Sequence, residues 1–307
     1  MLTVTLVATL AAAALWQQWR STEVEVAQRA RVQSGWILVG ALDWARLILQ
    51  EDARSSGVDH LAEPWAVPLE EARMATFFAA DSNVTDRPDD VQQAFISGQI
   101  VDMQSRLNVR NLVDNGIVSP VALRQFGRLF ELLGLPEAEL ARLAENLRFA
   151  LDTSADNRSA AQAPLMPQRV NQLVWLGLSE RSIAQLTPFI TLLPQSTSVN
   201  LNTAPAEVIF ASIDEPDMAL ARRLVTARAS AHFKTLGEAA RLLGDVPGQI
   251  AQERHGVSSR YFEVRGKLRL DDVSVNERSL VVREGLDVKV LWRERTAGVP
   301  SPRGSLQ

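Results

Sequence analysis

The residues best suited to chemistry are the carboxylates of an acidic loop. They are Asp81, Asp86, Asp89 and Asp90. With the amide of Asn83, they offer the hard oxygen ligands that Ca²⁺ prefers in proteins. Their spacing is not that of an EF-hand, so a solvated acidic loop is the alternative. Asp271 and Asp272 form a second, weaker candidate. The sequence therefore predicts Ca²⁺ as the one possible cofactor.

Catalytic chemistry has little support in the sequence. Cysteine is absent, which excludes disulfides, thiolate catalysis and cysteine-based zinc sites. His60, His232 and His255 lie far apart in the chain, and each is predicted to be a surface or capping residue. Signatures of serine hydrolases, zinc proteases and P-loop proteins are also absent. We expect no enzymatic activity, and a membrane-anchored hydrolase is the weakest alternative.

The most specific interior pattern lies in residues 199–243. Asn202 and Thr203 precede Pro205 and an apolar run, and Thr203 is a plausible N-cap with Pro205 in the first helical turn. Glu207 would lie near the positive end of that helix. The pattern predicts a helix-hairpin-helix or SAM-like unit.

Such units can bind DNA when glycines expose backbone amides to phosphate. Here the connection, residues 212–217, has no glycine and carries three carboxylates, which would repel a phosphate backbone. The net charge of −4 also implies no basic surface. We predict a packing or partner-docking role, and a DNA-binding or competence-type membrane protein is the alternative.

The N-terminal residues form an apolar run that is predicted to anchor the chain in a membrane. Residues 1–15 contain no charge, proline or glycine, and Trp16 and Trp19 precede the first charge, Arg20. This run nearly reaches the roughly 20 apolar residues that a membrane span needs, with the tryptophans at the interface. The predicted anchor comprises Leu2, Val4, Leu6, Val7, Leu10, Leu15, Trp16 and Trp19. A cleaved signal peptide is the alternative, but no basic region precedes the run.

The helix is predicted to continue to about Gln50, with one buried stripe at helical spacing. That stripe is Gly35, Leu38, Leu42, Ala45 and Leu49. The 307 residues, 46% hydrophobic and 22% charged, can build a real core. We divide the chain into a transmembrane stem (1–20), a helix with first strands (21–112), a helical insertion (113–256), returning strands (257–296) and a flexible tail (297–307). The strands on both sides of the insertion are expected to share one sheet.

Four segments together resemble a known family, the K-type minor pseudopilins (GspK family) of the type II secretion system. They are the apolar stem, EPWAVPLEEAR from residue 63, GQIVDMQSRLNVRNLV from residue 98 and NLNTAPAEVI from residue 200. The residues that carry the resemblance are Trp65, Asp102, Asn108, Asn111, Asn202, Thr203 and Pro205. The first acidic residue is Glu23, and this family likewise lacks the early stem glutamate of most pilin-like subunits.

The resemblance implies an α+β fold, in which a pilin-like domain of a long N-terminal helix and an antiparallel sheet carries a large all-α insertion. It implies a structural subunit at the pseudopilus tip, in complex with I- and J-type minor pseudopilins and supporting protein export across the outer membrane. The stem would lie in the bacterial inner membrane as a single pass, with the soluble domain in the periplasm. Exported proteins are possible further partners, and bound calcium is linked to the family.

Overall fold

The chain begins with one long helix. The computed structural model describes residues 2–73, 94–152, 162–215, 217–244, 249–270 and 273–297. Helix α1 covers Leu2–Ser55, about one turn more than predicted. At about 1.5 Å per residue, α1 is about 80 Å long. All described side chains of residues 3–26 are exposed, and burial begins further along the helix. The exposed part of α1 thus continues to residue 26, beyond the predicted stem (1–20).

Eleven strands lie in the described parts of the chain. They are β1 (Leu69–Arg73), β2 (Ala94–Asp102), β3 (Leu107–Asn108), β4 (Val113–Asp114), β5 (Ile117–Val118), β6 (Ile190–Thr191), β7 (Val199–Asn200), β8 (His255–Gly256), β9 (Tyr261–Leu270), β10 (Val273–Glu284) and β11 (Asp287–Ala297). The main sheet is antiparallel, in the order β1-β2-β9-β10-β11. The pairing of β2 with β9 confirms that strands on both sides of the insertion share one sheet.

Two features of the main sheet depend on short segments. The second half of the segment Glu63–Arg73 is β1, the edge strand paired with β2. The run Ser279–Trp292 contains the hairpin that joins β10 to β11. Gly285, with φ 63°, supplies the left-handed conformation that this tight turn requires.

The insertion is mainly helical. Its helices are α2 (Pro120–Leu132), α3 (Glu137–Leu151), α4 (Glu180–Leu186), α5 (Ala206–Ser212), α6 (Met218–Ser230) and α7 (Leu236–Leu242). Ser119 caps α2 by accepting a hydrogen bond from the Ala122 amide, and Pro120 takes the first helical position. The insertion is not purely helical, because it contains the parallel pairs β3–β6 and β7–β8 and the hairpin β4–β5.

The insertion also begins earlier than residue 113. Leu107, Val109 and Leu112 are buried in its hydrophobic core, so the chain leaves the sheet directly after Asp102. Sequence periodicity could not locate this boundary, since the segment is built of two short 3₁₀ turns, Met103–Ser105 and Val109–Leu112.

Different elements pack on the two faces of the main sheet. Helix α1 packs on one face, where Leu42 and Leu49 meet Phe262 and Val281. The insertion packs on part of the other face, which we call the distal face; its contact core is Met103, Leu193, Tyr261, Leu280 and Val282. The sheet is thus the layer that holds the stem helix and the insertion in a fixed relation.

Candidate functional site at the stem and the sheet–insertion junction

The stem presents its apolar residues to the surroundings. Val4, Leu6, Val7, Leu10, Leu15, Trp16 and Trp19 are all exposed. Leu2 lies in the helix, but its side chain is outside the described part. Among the described residues, no helix combines the length and apolarity that a membrane crossing needs. Within the described part of the chain, the predicted transmembrane span is therefore not reproduced.

The predicted packing stripe faces the sheet. Gly35, Leu38, Leu42, Ala45 and Leu49 are all buried. At Gly35 the helix comes so close to β11 that the Arg295 side chain donates a hydrogen bond of 3.1 Å to the glycine carbonyl. A Cβ at this position would lie 2.9 Å from the Arg295 guanidinium. Glycine here leaves room for the Arg295 guanidinium against the helix.

The opposite side of the same helix carries large apolar side chains that the sequence analysis had not singled out. We call Val32, Trp36, Trp44 and Leu47 the free face of α1. Trp36 is 73% exposed and Trp44 53% exposed, although tryptophan is normally well buried. Large apolar side chains exposed along one side of a helix are typical of an interaction site. The signal was available, since these residues repeat at the helical period.

At the other end of α1, the family-motif residues gather at the junction of sheet and insertion. The Asp102 carboxylate is buried and accepts hydrogen bonds from Thr203 Oγ1 at 2.5 Å, Ser259 Oγ at 2.6 Å and the Gln104 amide at 2.7 Å. Burial raises the pKa of Asp102 to about 6, although the hydrogen bonds from Ser259 and Thr203 lower it. Asn200 Nδ2 completes the set at 3.2 Å. Asp102 thus ties the end of β2 to both ends of the insertion.

Asn108 and Asn111 bind one loop from two sides. Asn108 Nδ2 donates to the Gln195 carbonyl at 2.7 Å. Asn111 accepts from the Thr197 amide at 3.0 Å and donates to the Thr197 carbonyl at 2.7 Å. The side chains replace missing backbone partners of residues 193–197, so both asparagines act in the architecture of the junction.

The Asn202 side chain likewise replaces missing backbone partners, here in the connection between α6 and α7. Its side-chain amide accepts from the Phe233 N–H at 2.8 Å and donates to the Phe233 carbonyl at 2.9 Å.

The expectation that Thr203 caps a helix was wrong. Helix α5 begins after Pro205, which is its N-cap residue, and the Thr203 hydroxyl is used on Asp102 instead.

A second charged group, absent from the sequence predictions, adjoins Asp102. Arg283 Nη1 lies 2.8 Å from Asp52, and Arg283 Nη2 contacts Asp59 and the Ser259 carbonyl, the latter at 2.9 Å. Burial raises the pKa of both Asp52 and Asp59, whereas the charge of Arg283 lowers it. Because the Ser259 amide donates to Asp59 at 2.7 Å, one network joins Arg283 to Asp102.

These carboxylates do not fit a calcium site. Oxygens of Asp52, Asp59 and Glu63 come within 4.8 Å of one another, which is close enough for shared ligation of a metal. The Arg283 guanidinium, however, already contacts the two aspartates, and Glu63 accepts hydrogen bonds from Trp65 Nε1 at 2.7 Å and the His60 amide at 2.8 Å. The predicted ligands Asp81, Asp86, Asp89 and Asp90, and the pair Asp271 and Asp272, lie outside the described residues.

The structure corrects two predictions about histidine. His60 and His232 are not apart, because their rings stack at 3.8 Å between centroids. His255 is buried rather than superficial, with Nε2 at 3.1 Å from Ser212 Oγ. Burial lowers the pKa of His255 to about 4, so the ring is neutral at physiological pH. The histidines pack elements together: the Ser212 hydroxyl and the His255 ring beside it are both fully buried inside the insertion, closed off from any substrate.

The acidic connection between α5 and α6 is engaged inside the insertion. Asp214 Oδ1 lies 2.7 Å from Arg254 Nη1, and Arg128 donates to the Asp214 carbonyl at 2.9 Å. The hydrogen bond from Arg254 holds the pKa of Asp214 below its ordinary value. The arrangement favours the packing role and gives no support to DNA binding.

A long N-terminal helix that covers one face of an antiparallel sheet and projects an exposed stem defines a pilin-like assembly subunit, here with an inserted domain. Two family models, both described as "Type II secretion system (T2SS), protein K", match residues 105–195 and 199–258. The chain belongs to this protein K family, whose members are the K-type minor pseudopilins. The resemblance inferred from the sequence is confirmed.

Individual relatives agree over nearly the whole length. Type II secretion system protein K of Pseudomonas aeruginosa is 28% identical, over 91% of this chain and 86% of the relative. The protein of the same name from Pectobacterium carotovorum is 26% identical, over 86% of this chain and 84% of the relative. The fold is also that of a chain in the crystal structure of the GspK-GspI-GspJ complex from enterotoxigenic Escherichia coli. The two share 20% identity with a TM-score of 0.66, over 89% of this chain and 98% of that chain.

Proposed function

We propose that this chain is the minor pseudopilin that joins I- and J-type partners at the pseudopilus tip and starts assembly there. The free face of α1 carries the proposal. Trp36, Trp44 and Leu47 are exposed on a helix whose other side is already committed to the sheet. A solved relative in fold comes from a GspK-GspI-GspJ complex, which supports partners of this kind.

The test is a co-purification with the two small pseudopilins of the same system. Replacing Trp36 and Trp44 by alanine should weaken recovery of both partners at least about tenfold, because buried tryptophans dominate interfaces. Trp175→Ala is the matched control, since Trp175 is also exposed but lies in the insertion. Undiminished recovery with the double variant would sink the proposal, provided that its melting temperature equals that of the wild type.

Membership of a secretion-system family supports a location in the cell envelope. We propose that the stem associates with the inner membrane, with the sheet and insertion in the periplasm, since Trp16 and Trp19 suit a membrane–water interface. Removing residues 2–20 should move the protein from the membrane to the soluble fraction without unfolding it, because this part of α1 is exposed. Retention in the membrane fraction would contradict the role of the stem.

Two finer features are part of the proposal. Helices α5 and α6 form a SAM-like packing unit, and Asp81, Asp86, Asp89 and Asp90 bind Ca²⁺. Calcium at millimolar concentration should then raise the melting temperature of the wild type and not that of a variant with Asp86 and Asp89 replaced by asparagine. An equal response of the two proteins would exclude these ligands.

A further inference from the structure

An arginine without a counter-ion lies where the insertion meets the distal face of the sheet. Arg106 Nη1 donates only a long hydrogen bond of 3.3 Å, to the Thr187 carbonyl. Within the described ranges, no carboxylate lies at ion-pairing distance from Arg106. Burial and the nearby positive charge of Arg265 lower the pKa of Arg106. The surroundings of this guanidinium are therefore deficient in negative charge.

The nearest acid is already engaged. The buried Glu263 carboxylate is bound through one oxygen by Arg265 and through the other by Arg278, the latter at 2.6 Å. Arg265 and Arg278 are directly opposite each other in the pairing of β9 with β10. Like charges at such positions repel, so Glu263 is needed to hold the pair together. Each Glu263 oxygen thus accepts its hydrogen bond from an arginine other than Arg106.

The excess of positive charge continues along the distal face. Side chains alternate along β9, so Lys267 and Arg269 lie on the same face as Arg265. Arg269 is paired with Glu71 at 2.7 Å, whereas Lys267 has no ion pair in the described part of the chain. Cations therefore outnumber acids on this face, although the whole chain has a net charge of −4.

Beside Arg106 and Arg278 lies a cavity of about 280 Å³ between the insertion and β11. Trp292 forms part of its lining, and the amides of Gln168 and Asn171 contribute polar groups from the insertion. Its lining also includes the ion pair of Arg169 with Glu294, 3.2 Å apart. Glu263 also lines the cavity, and both of its acids, Glu263 and Glu294, are already ion-paired with arginine. The cavity can hold one short side chain beside the Arg106 guanidinium.

We propose that this cavity binds the carboxylate of an acidic, extended segment of a partner protein. Arginine recognises carboxylates with two parallel hydrogen bonds, and Arg106 has such a capacity to spare. Strand β11 is an edge of the main sheet, so an extended segment can pair with its backbone and place a glutamate in the cavity. The edge strand favours a protein segment over a lipid phosphate.

The site is on the opposite face of the sheet from α1, so this proposal does not rest on the role of the free face. Variants of Arg106 test one surface, and variants of Trp36 and Trp44 test the other. Failure of either proposal is therefore distinguishable from failure of the other.

The experiment titrates the full-length chain with two capped five-residue peptides of alternating threonine and valine, one with a central glutamate and one with a central glutamine. The glutamate peptide should bind about tenfold more tightly, the effect of one charged hydrogen-bonded pair. Arg106→Gln should abolish this difference, whereas Arg222→Gln, at an exposed position on α6, should preserve it.

Equal binding of the two peptides by the wild type, or an unchanged preference in Arg106→Gln, would overturn the proposal. A charge-reversed variant separates loss of the site from loss of the fold. Arg106→Glu should prefer a peptide with a central lysine, whereas a misfolded variant would prefer neither peptide. Vesicles of phosphatidylglycerol and phosphatidylcholine form the last arm. Binding to them that depends on Arg106, without peptide binding, would overturn the assignment to a protein segment in favour of a lipid phosphate.

Discussion

The Thr203 hydroxyl donates a 2.5 Å hydrogen bond to the Asp102 carboxylate across 101 positions of sequence. Asp102 ends a strand of the main sheet, and Thr203 precedes a helix of the insertion. The bond joins two of the four segments on which the family resemblance depends. Those segments are thus parts of one buried junction, whose role is to fix the insertion on the sheet.

Asp102 should make stability depend on pH. Its folded pKa, about 6, lies above the ordinary value of 3.8, so the folded chain binds this proton more tightly than the unfolded chain. The stabilisation is fully present below about pH 4 and is lost as the pH rises through about 6. Relative to Asp102→Asn, the wild type should lose up to about 3 kcal/mol of unfolding free energy over this window. Urea denaturation at several pH values measures it, and parallel curves would contradict it.

Arg283 should be essential for stability at neutral pH. Arg283→Met leaves Asp52 and Asp59 buried without their cation, which should cost about 3–5 kcal/mol. The loss should shrink near pH 5, because burial already raises the pKa of both aspartates and protonation would neutralise them. Arg54→Met removes only an exposed pair with Glu51 and should cost less than about 1 kcal/mol. Equal losses in the two variants would refute the assignment.

The Asn202 clamp should contribute to the insertion alone. Asn202→Ala removes both hydrogen bonds to Phe233 and should destabilise the insertion by about 1–3 kcal/mol. Hydrogen exchange should show faster opening of α6 and α7 with little change in β9 and β10. Uniform loss of protection throughout the sheet would mean that the clamp stabilises the whole fold instead.

Two leucines of α1 should behave differently. Leu49 is fully buried against the sheet, and Leu49→Ala should cost about 2–5 kcal/mol. Leu47 is 60% exposed on the free face, and Leu47→Ala should change stability by no more than about 0.5 kcal/mol. Thermal denaturation of the isolated chain compares them. A large loss for Leu47 would show that the free face packs within the chain.

Local periodicity explains what could be predicted. The buried stripe from Gly35 to Leu49 follows from the 3.6-residue period of one helix, and the cap of α2 follows from Ser119 and Pro120. Both depend on near neighbours in sequence.

The junction could not be predicted in this way, because its partners are distant in sequence. No residue near Thr203 in sequence indicates that its hydroxyl donates to Asp102. The local rule for helix caps therefore predicted an N-cap, which the structure does not show. The stacking of His60 on His232 and the pairing of Arg283 with Asp59 depend equally on the tertiary fold. An arginine within the apolar run SLVVREG was the one local sign of a buried ion pair.

The route of the chain at the junction bears on how this architecture could arise. The insertion departs after Asp102 and returns at Tyr261, and Asp102 pairs with Phe262 on the neighbouring strand. Two such positions are about 5 Å apart in an antiparallel sheet. A short turn could therefore close the gap, leaving every strand in its register. The insertion is thus separable in topology but not in packing, since its removal would uncover Tyr261, Leu280 and Val282 and take the hydrogen-bond donors of Thr203 and Asn200 away from Asp102.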